Sequence, residues 1–341
     1  MKKIFFITLF LFGFILTQAQ TSKRVGVYPI AFYNLENLYH PESTDSLRDR
    51  AFSPTGENAW TMDKYRRKLD NMAYAISQIA KDYNGVVMLG VSEIGNRQVL
   101  EDLIHTGELA SRDLAIVHYD SPDRRGVDVG FIYNPKIFKV VSSKAYPYVL
   151  PSNPEFRTRD QLLVSGILAG EPVNVIVNHW PSRYGDKSSE LREHAASICK
   201  HITDSIRAAD PNAKVIIMGD LNDDPNNKSC KEVLGAKKNI KDVKDGDLYN
   251  TMWPFFAKGI GSLCYQGKWN LFDQIIISGN LVGKDLSALK FMKAEVFNKD
   301  FLIQKEGQYK GYPLRTFRNN TFLNGYSDHF PTLIYLTKEI N

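Results

Sequence analysis

A chain of 341 residues with 43% hydrophobic and 24% charged side chains is ordinary globular material, long enough for one large domain or two small ones. A net charge of +5 permits an anionic substrate, but there is no dense Lys/Arg run of the kind that forms a nucleic-acid-binding tail. Cys199, Cys230 and Cys264 are an odd set without metal-ligand spacing, so at most one disulfide is expected and a disulfide-stapled fold is excluded.

Lys2 and Lys3 precede an apolar run over residues 4–16, and Thr17-Gln18-Ala19 supplies small residues for cleavage. This pattern predicts a signal peptide over residues 1–19 and a mature chain from residue 20, exported to the periplasm or the extracellular space. The run is short for a bilayer and no stop-transfer pattern follows it, so no transmembrane anchor is expected. Loss of the two lysines lowers the formal charge from +5 to +3.

Apolar runs suited to buried strands follow at residues 27–33, 86–91, 127–133, 162–168, 173–177, 215–218, 272–277 and 333–336. Helical spacing appears in Leu69, Met72, Ala73, Ile76, Ile79 and Ala80, and again in Leu191, Ala195, Ile198, Ile202 and Ile206, where Ala209-Asp210-Pro211 predicts the stop. Ala169-Gly170-Glu171-Pro172 punctuates a hairpin. Mixed sheets covered by helices are therefore expected, in a single domain over residues 20–341. Residues 41–54 and 305–324 read as long surface loops.

Polar groups recur where these strands end. Gly219-Asp220-Leu221-Asn222 follows the run at 215–218, with the glycine expected to turn the chain and the two oxygen-tipped side chains to point the same way. Asn34 and Glu36 close the first strand, Glu93 the second, and Asn178-His179 the one from residue 173. Asp273 opens another, and Ser327-Asp328-His329 precedes the last. Hard oxygen ligands such as Glu36, Glu93 and Asp328 suit Mg²⁺, with Mn²⁺ or Ca²⁺ as alternatives. Histidines with acidic neighbours suit proton donation or a phosphate clamp.

The ordered series Asn34-x-Glu36, Ser92-Glu93, Asn178-His179, Gly219-Asp220-x-Asn222, Asp273 and Ser327-Asp328-His329 resembles the endonuclease/exonuclease/phosphatase superfamily, DNase I-like proteins that span nearly the whole chain. The resemblance implies a four-layer α/β/β/α sandwich of two packed mixed sheets. It implies that Glu93 is the main metal ligand, supported by Asn34, Glu36 and Asp328. On the same resemblance, Asp220 would orient or deprotonate the attacking water and Asn222 would hold a phosphate oxygen. His329, polarised by Asp273, and His179, with Asp128 as its acidic partner, would contact the phosphate. Arg157 and Asn178 are further phosphate-binding candidates.

Three rival motifs fail. Asp220-Leu221-Asn222-Asp223-Asp224 opens like a calcium loop but has Pro225 where glycine is required and Lys231 where glutamate is. The Asp-x-His and Gly-Asn-His elements of a dimetal phosphatase are missing, as is the Gly-x-Ser-x-Gly elbow of a serine hydrolase. The expected function is a monomeric, metal-dependent phosphoesterase without an implied protein partner, cleaving nucleic acid first of all. Phospholipid or inositol-phosphate hydrolysis and a non-catalytic phosphate-binding role are the alternatives. Lys305, Tyr309, Lys310, Tyr312, Arg315, Phe317 and Arg318 are candidates to line a nucleic-acid cleft, and Trp253-Pro254-Phe255-Phe256 is the one candidate for a membrane-seeking segment.

Overall fold

The computed structural model describes residues 24–44, 49–183 and 188–340; the expected signal peptide lies outside them. Two large sheets carry the architecture. The first contains β1 (Arg24–Leu38), β2 (Met88–Ile94), β3 (Ala115–His118), β4 (Asp128–Tyr133), β14 (Lys290–Val296) and β17 (Thr332–Ile340), in the order β14-β17-β1-β2-β4-β3. The second contains β5 (Phe138–Tyr146), β6 (Gln161–Leu168), β7 (Glu171–His179), β8 (Lys214–Asp220), β9 (Ala236–Lys237), β10 (Leu248–Asn250) and β13 (Asp273–Ser278), in the order β5-β6-β7-β8-β13-β10-β9. Two hairpins, β11 (Leu263–Tyr265) with β12 (Lys268–Asn270) and β15 (Phe317–Arg318) with β16 (Thr321–Phe322), project from this frame.

Both sheets are mixed, and their parallel pairs explain where the long helices lie. Parallel neighbours cannot be joined by a tight turn, so the chain must cross over. β1 reaches β2 through α1 (Met62–Gln78), and β7 reaches β8 through α3 (Ser189–Ala209). Thr61 caps α1 by accepting from the Lys64 N–H, and Ser188 caps α3 by accepting from the Glu190 N–H. α1 and α2 (Arg97–Ile104) cover the outer face of the first sheet, and α3 covers that of the second. The result is the four-layer sandwich. A last short helix, α4 (Trp253–Phe256), buries Trp253, so this segment anchors the fold rather than seeking a membrane.

β8 shows why its sequence is apolar without interruption. Ile216 and Met218 face the core between the sheets, while Val215 and Ile217 face α3. A strand buried on both faces needs no polar alternation. Each such side chain contributes roughly 1.5–3 kcal/mol through burial. Two glycines set how closely the strands approach. A Cβ on Gly90 would lie 2.5 Å from the Met218 sulfur across the sandwich, and one on Gly219 would lie 2.3 Å from the Asn178 carbonyl oxygen.

Gly219 is thus part of the strand and not a turn, and its role is close approach. The hairpin between β6 and β7 turns on Ala169-Gly170 alone, both at positive φ, with Glu171 and Pro172 already paired. The segment 305–324, expected as a loop, contains the hairpin β15–β16. Cys199, Cys230 and Cys264 are all free. Gly219→Ala is expected to lower stability by about 1–3 kcal/mol through overpacking. Urea denaturation measures this, and an unchanged midpoint would contradict the close-approach role.

Candidate active site

Three neighbouring strands align the centre of the site. His179 is in register with Asp220 between parallel β7 and β8, and Asp220 with Asp273 between antiparallel β8 and β13. By the two-residue period each lies on the face of Val177, Met218 and Ile275, the face turned to the other sheet. The apolar sandwich therefore ends in a row of imidazole, carboxylate and carboxylate, all buried. The first sheet answers from across the gap. Asn34 Nδ2 donates to Asp220 Oδ2 at 3.1 Å. His329 Nδ1 lies 2.6 Å from Asp273 Oδ2, which fixes the ring. His179 Nε2 and His329 Nε2 stand 3.7 and 3.9 Å from Asp220 Oδ2, too far for direct hydrogen bonds and spaced to flank a small group.

Electrostatics divides the roles. Burial pushes Asp220 up to about 7, against the pull of His329, and Asp273 adds to the rise. Burial opposes charge on His329, yet Asp273 and Asp220 outweigh it and hold the imidazole well above its ordinary range. Burial and Arg159 push His179 the other way, well below that range. The site thus combines a carboxylate poised near neutrality, a cationic imidazole and a neutral one, the separation expected of an acid–base centre.

A second carboxylate group lies beside the first. Glu93 receives the Asn37 N–H at 3.0 Å and Arg125 at 3.2 Å, with His179 Nε2 at 4.0 Å. Burial alone would raise Glu93, but Arg125 and His179 together hold it down at about 2. Glu36 is bound by Arg315 Nε at 2.9 Å and the Thr316 N–H at 2.7 Å, with Lys68 Nζ at 3.9 Å. Arg315 also pairs with Asp328 at 3.1 Å. Four side chains reach this geometry through backbone that non-glycine residues rarely adopt, with φ of 48° at Glu36, 53° at Asn37, 59° at Glu93 and 50° at Asn222. Such conformations cost energy and cluster at functional positions. Strict alternation would send Glu93 to the face of Val91, against α2; its positive φ turns it toward His179 instead.

Asp220, Asn222, His179, His329 and Asp273 are thus assembled with Asn34, Glu36, Glu93 and Asp328. Three expected members are not. Asn178 points to the α3 side, where it donates to the Ile176 and Met218 carbonyls and accepts from Trp180 Nε1, so its amide is spent on the fold. The partner of Asp128 is His118 at 3.0 Å, with Ser121 on its other oxygen, and not His179. Arg157 is exposed and, among the described residues, bonds only nearby Pro154, Glu155 and Phe156. The buried arginine is Arg159, which donates to the His179 and Trp180 carbonyls and pairs with Asp123 at 3.0 Å. Nor do Asp220 and Asn222 share an extended segment. Asn222 N–H folds back onto Asp220 Oδ1 at 3.0 Å, and its amide donates to the Trp180 carbonyl at 2.9 Å. Sequence reading missed Arg125, Lys68 and Thr316, whose partners lie tens to hundreds of residues away.

A family model described as Endonuclease/Exonuclease/phosphatase family matches residues 29–338. The chain belongs to the endonuclease/exonuclease/phosphatase family. This membership supports hydrolysis of phosphoester bonds. No curated protein matches the sequence at a significant level. Solved structures share the fold at low identity. An endonuclease/exonuclease/phosphatase family protein of Bacteroides thetaiotaomicron is 15% identical with a TM-score of 0.55, covering 94% of this chain and 98% of its own. A mannosyl-6-phosphatase of the same organism is 14% identical with a TM-score of 0.55, over 91% and 99%. D. rerio TDP2 complexed with single strand DNA product is 13% identical with a TM-score of 0.52, over 91% and 98%.

The donor set suits a hard divalent cation in kind: Glu36, Glu93 and Asp328 bring carboxylate oxygens to one place. Glu36 and Glu93 are alike in having both oxygens engaged by a backbone N–H and cationic side chains, contacts that a bound ion would replace in part. Among the described residues the tightest groupings of metal-capable atoms are Asp220-Asp273-His329 and His118-Asp120-Asp128. In the first, the 2.6 Å hydrogen bond between Asp273 and His329 marks a proton-holding pair. With Asp220 raised to about 7 and His329 raised as well, kcat/KM should fall as pH drops through neutrality, because Asp220 is then protonated while His329 stays cationic. A flat pH–rate profile between about pH 5 and 8 would rule out Asp220 as the titrating base.

Proposed function

We propose that the chain is a divalent-metal-dependent phosphodiesterase that cleaves nucleic acid by attack of water on phosphorus. The observation that carries this reading is Asp220, poised near neutral pH between two imidazoles of opposite tendency. Asp220 takes the proton of the attacking water. His329, held cationic by Asp273, neutralises the oxygen on which charge develops. His179 approaches from the Glu93 side, and Asn222, with one amide hydrogen on Trp180, has a second to offer a phosphate oxygen. A divalent cation, held by Glu93 with Asp328 and supported by Asn34 and Glu36, supplies further charge neutralisation when bound.

Nucleic acid is favoured by the tyrosines and arginines around the cleft, and the neighbour bound to a single-stranded DNA product is in keeping with it. Of the residues expected there, Phe317 is buried against Phe52 and Trp60 and belongs to the core. A phosphorylated sugar is the second reading, prompted by the mannosyl-6-phosphatase of similar fold. The lysine pair and apolar run ahead of residue 20 support export of the chain.

Hydrolysis of a small phosphodiester is expected with Mg²⁺ or Mn²⁺ and not in excess chelator; equal rates in both would remove the metal from the reaction. Asp220→Ala and His329→Ala should each lower turnover by at least ~100-fold with the fold retained by circular dichroism. Wild-type rates in either variant would take that residue out of the chemistry.

A further inference from the structure

A cavity of about 430 Å³ lies beside the candidate active site, between the tip of hairpin β11–β12 and the segment 308–319. Arg315 and Asp328 form the wall it shares with the site, and Asp328 Oδ1 is 4.0 Å from His329 Nε2. The cavity therefore adjoins the place that the proposed function gives to the reacting phosphate. The flat groups Tyr265, Tyr309, Tyr312 and Arg318 make up much of the remaining wall, with Trp269 behind Tyr312 outside the lining. The Arg318 guanidinium lies 3.5 Å from the ring centre of Tyr309, Tyr309 meets Tyr312 at 5.5 Å, and Tyr312 meets Trp269 at 6.2 Å. Tyr265 at the hairpin tip is 61% exposed, a high value for an aromatic side chain, and lines the same cavity. Arg318 makes no ion pair among the described residues, so its charge is left for a ligand.

We propose that this cavity seats the base of an unpaired nucleotide adjoining the reacting phosphate, an inference that rests on the nucleic-acid reading of the site. Aromatic faces and a braced guanidinium plane stack on any base, while cationic groups follow the backbone. The volume is that of a site for one small organic group, so a single nucleotide enters and a duplex does not. A sugar would demand several fixed acceptors for its hydroxyls. Here the carboxylate is Asp328, already paired with Arg315, and the amides of Gln266, Gln308 and Asn319 stand exposed.

Fluorescence anisotropy in excess chelator tests this without turnover, using a labelled short single-stranded oligodeoxynucleotide and the same oligomer with abasic positions. Wild-type protein should bind the base-bearing oligomer at least ~10-fold more tightly. Arg318→Ala and Tyr309→Ala should erase that preference, and Tyr309→Phe should keep it. Equal binding of the two oligomers, unaltered preference in the alanine variants, or displacement by a hexose phosphate more readily than by a nucleotide would overturn the assignment. The two readings fail separately. Base preference without metal-dependent hydrolysis would overturn the catalytic reading and leave the subsite standing. Hydrolysis without base preference would overturn the subsite alone.

Discussion

β8 runs so close to β7 that no side chain fits at position 219, and the site depends on this contact. The register between the two strands places His179 level with Asp220, and β13 adds Asp273 to the same row. A methyl group at 219 would push against the Asn178 carbonyl and shift that row as a unit. The residue that matters most to the geometry is thus one with no chemistry of its own.

Burial of so many charges is sustained by alternation of sign. Arg125 stands on Glu93, Arg315 on Glu36 and Asp328, Lys68 on Glu36, and His329 between Asp273 and Asp220. Removing one partner leaves an uncompensated buried charge, which costs more than the pair itself contributes. Lys68 shows the tension: burial lowers it to about 8 although Glu36 and Asp328 favour its charge. Its bonds to Thr316 and to the Tyr326 carbonyl tie α1 to the segment that carries Asp328 and His329. The helix is thereby part of the site's support.

All eight strands expected from apolar runs are present, because strands buried on both faces advertise themselves. Those passed over, notably β5, β14 and β3, are outer strands of the two sheets; exposed lysines and serines break up the apolar run in β5, lysines do so in β14, and β3 is only four residues long. Strand ends also supplied most of the candidate residues that the fold brings together, since polar groups placed where strands end converge on one edge of the sandwich. The errors have a common physical origin. Adjacent residues on a strand face opposite ways, so Asn178 and His179 could not share a task. Positive φ at Glu36, Glu93 and Asn222 leaves no glycine to betray it. Arg125, Lys68 and Arg315 reach their acids only through the tertiary fold, and His118 claims Asp128 from a neighbouring strand that was not foreseen.

The site is also a place where the two sheets are fastened by polar bonds. Asn34 joins β1 to Asp220 on β8, and His329, just ahead of β17, reaches Asp273 on β13; far from the site Lys338 of β17 pairs with Glu171 of β7 at 2.8 Å, and between these the sheets meet through apolar contact such as Gly90 against Met218. Apolar contact resists separation but tolerates sliding better than directional hydrogen bonds do. A small shear between the sheets would leave each half of the active site intact and divorce one from the other. Catalytic rate should then act as a strain gauge for the sandwich, failing on displacements that leave secondary structure and compactness untouched.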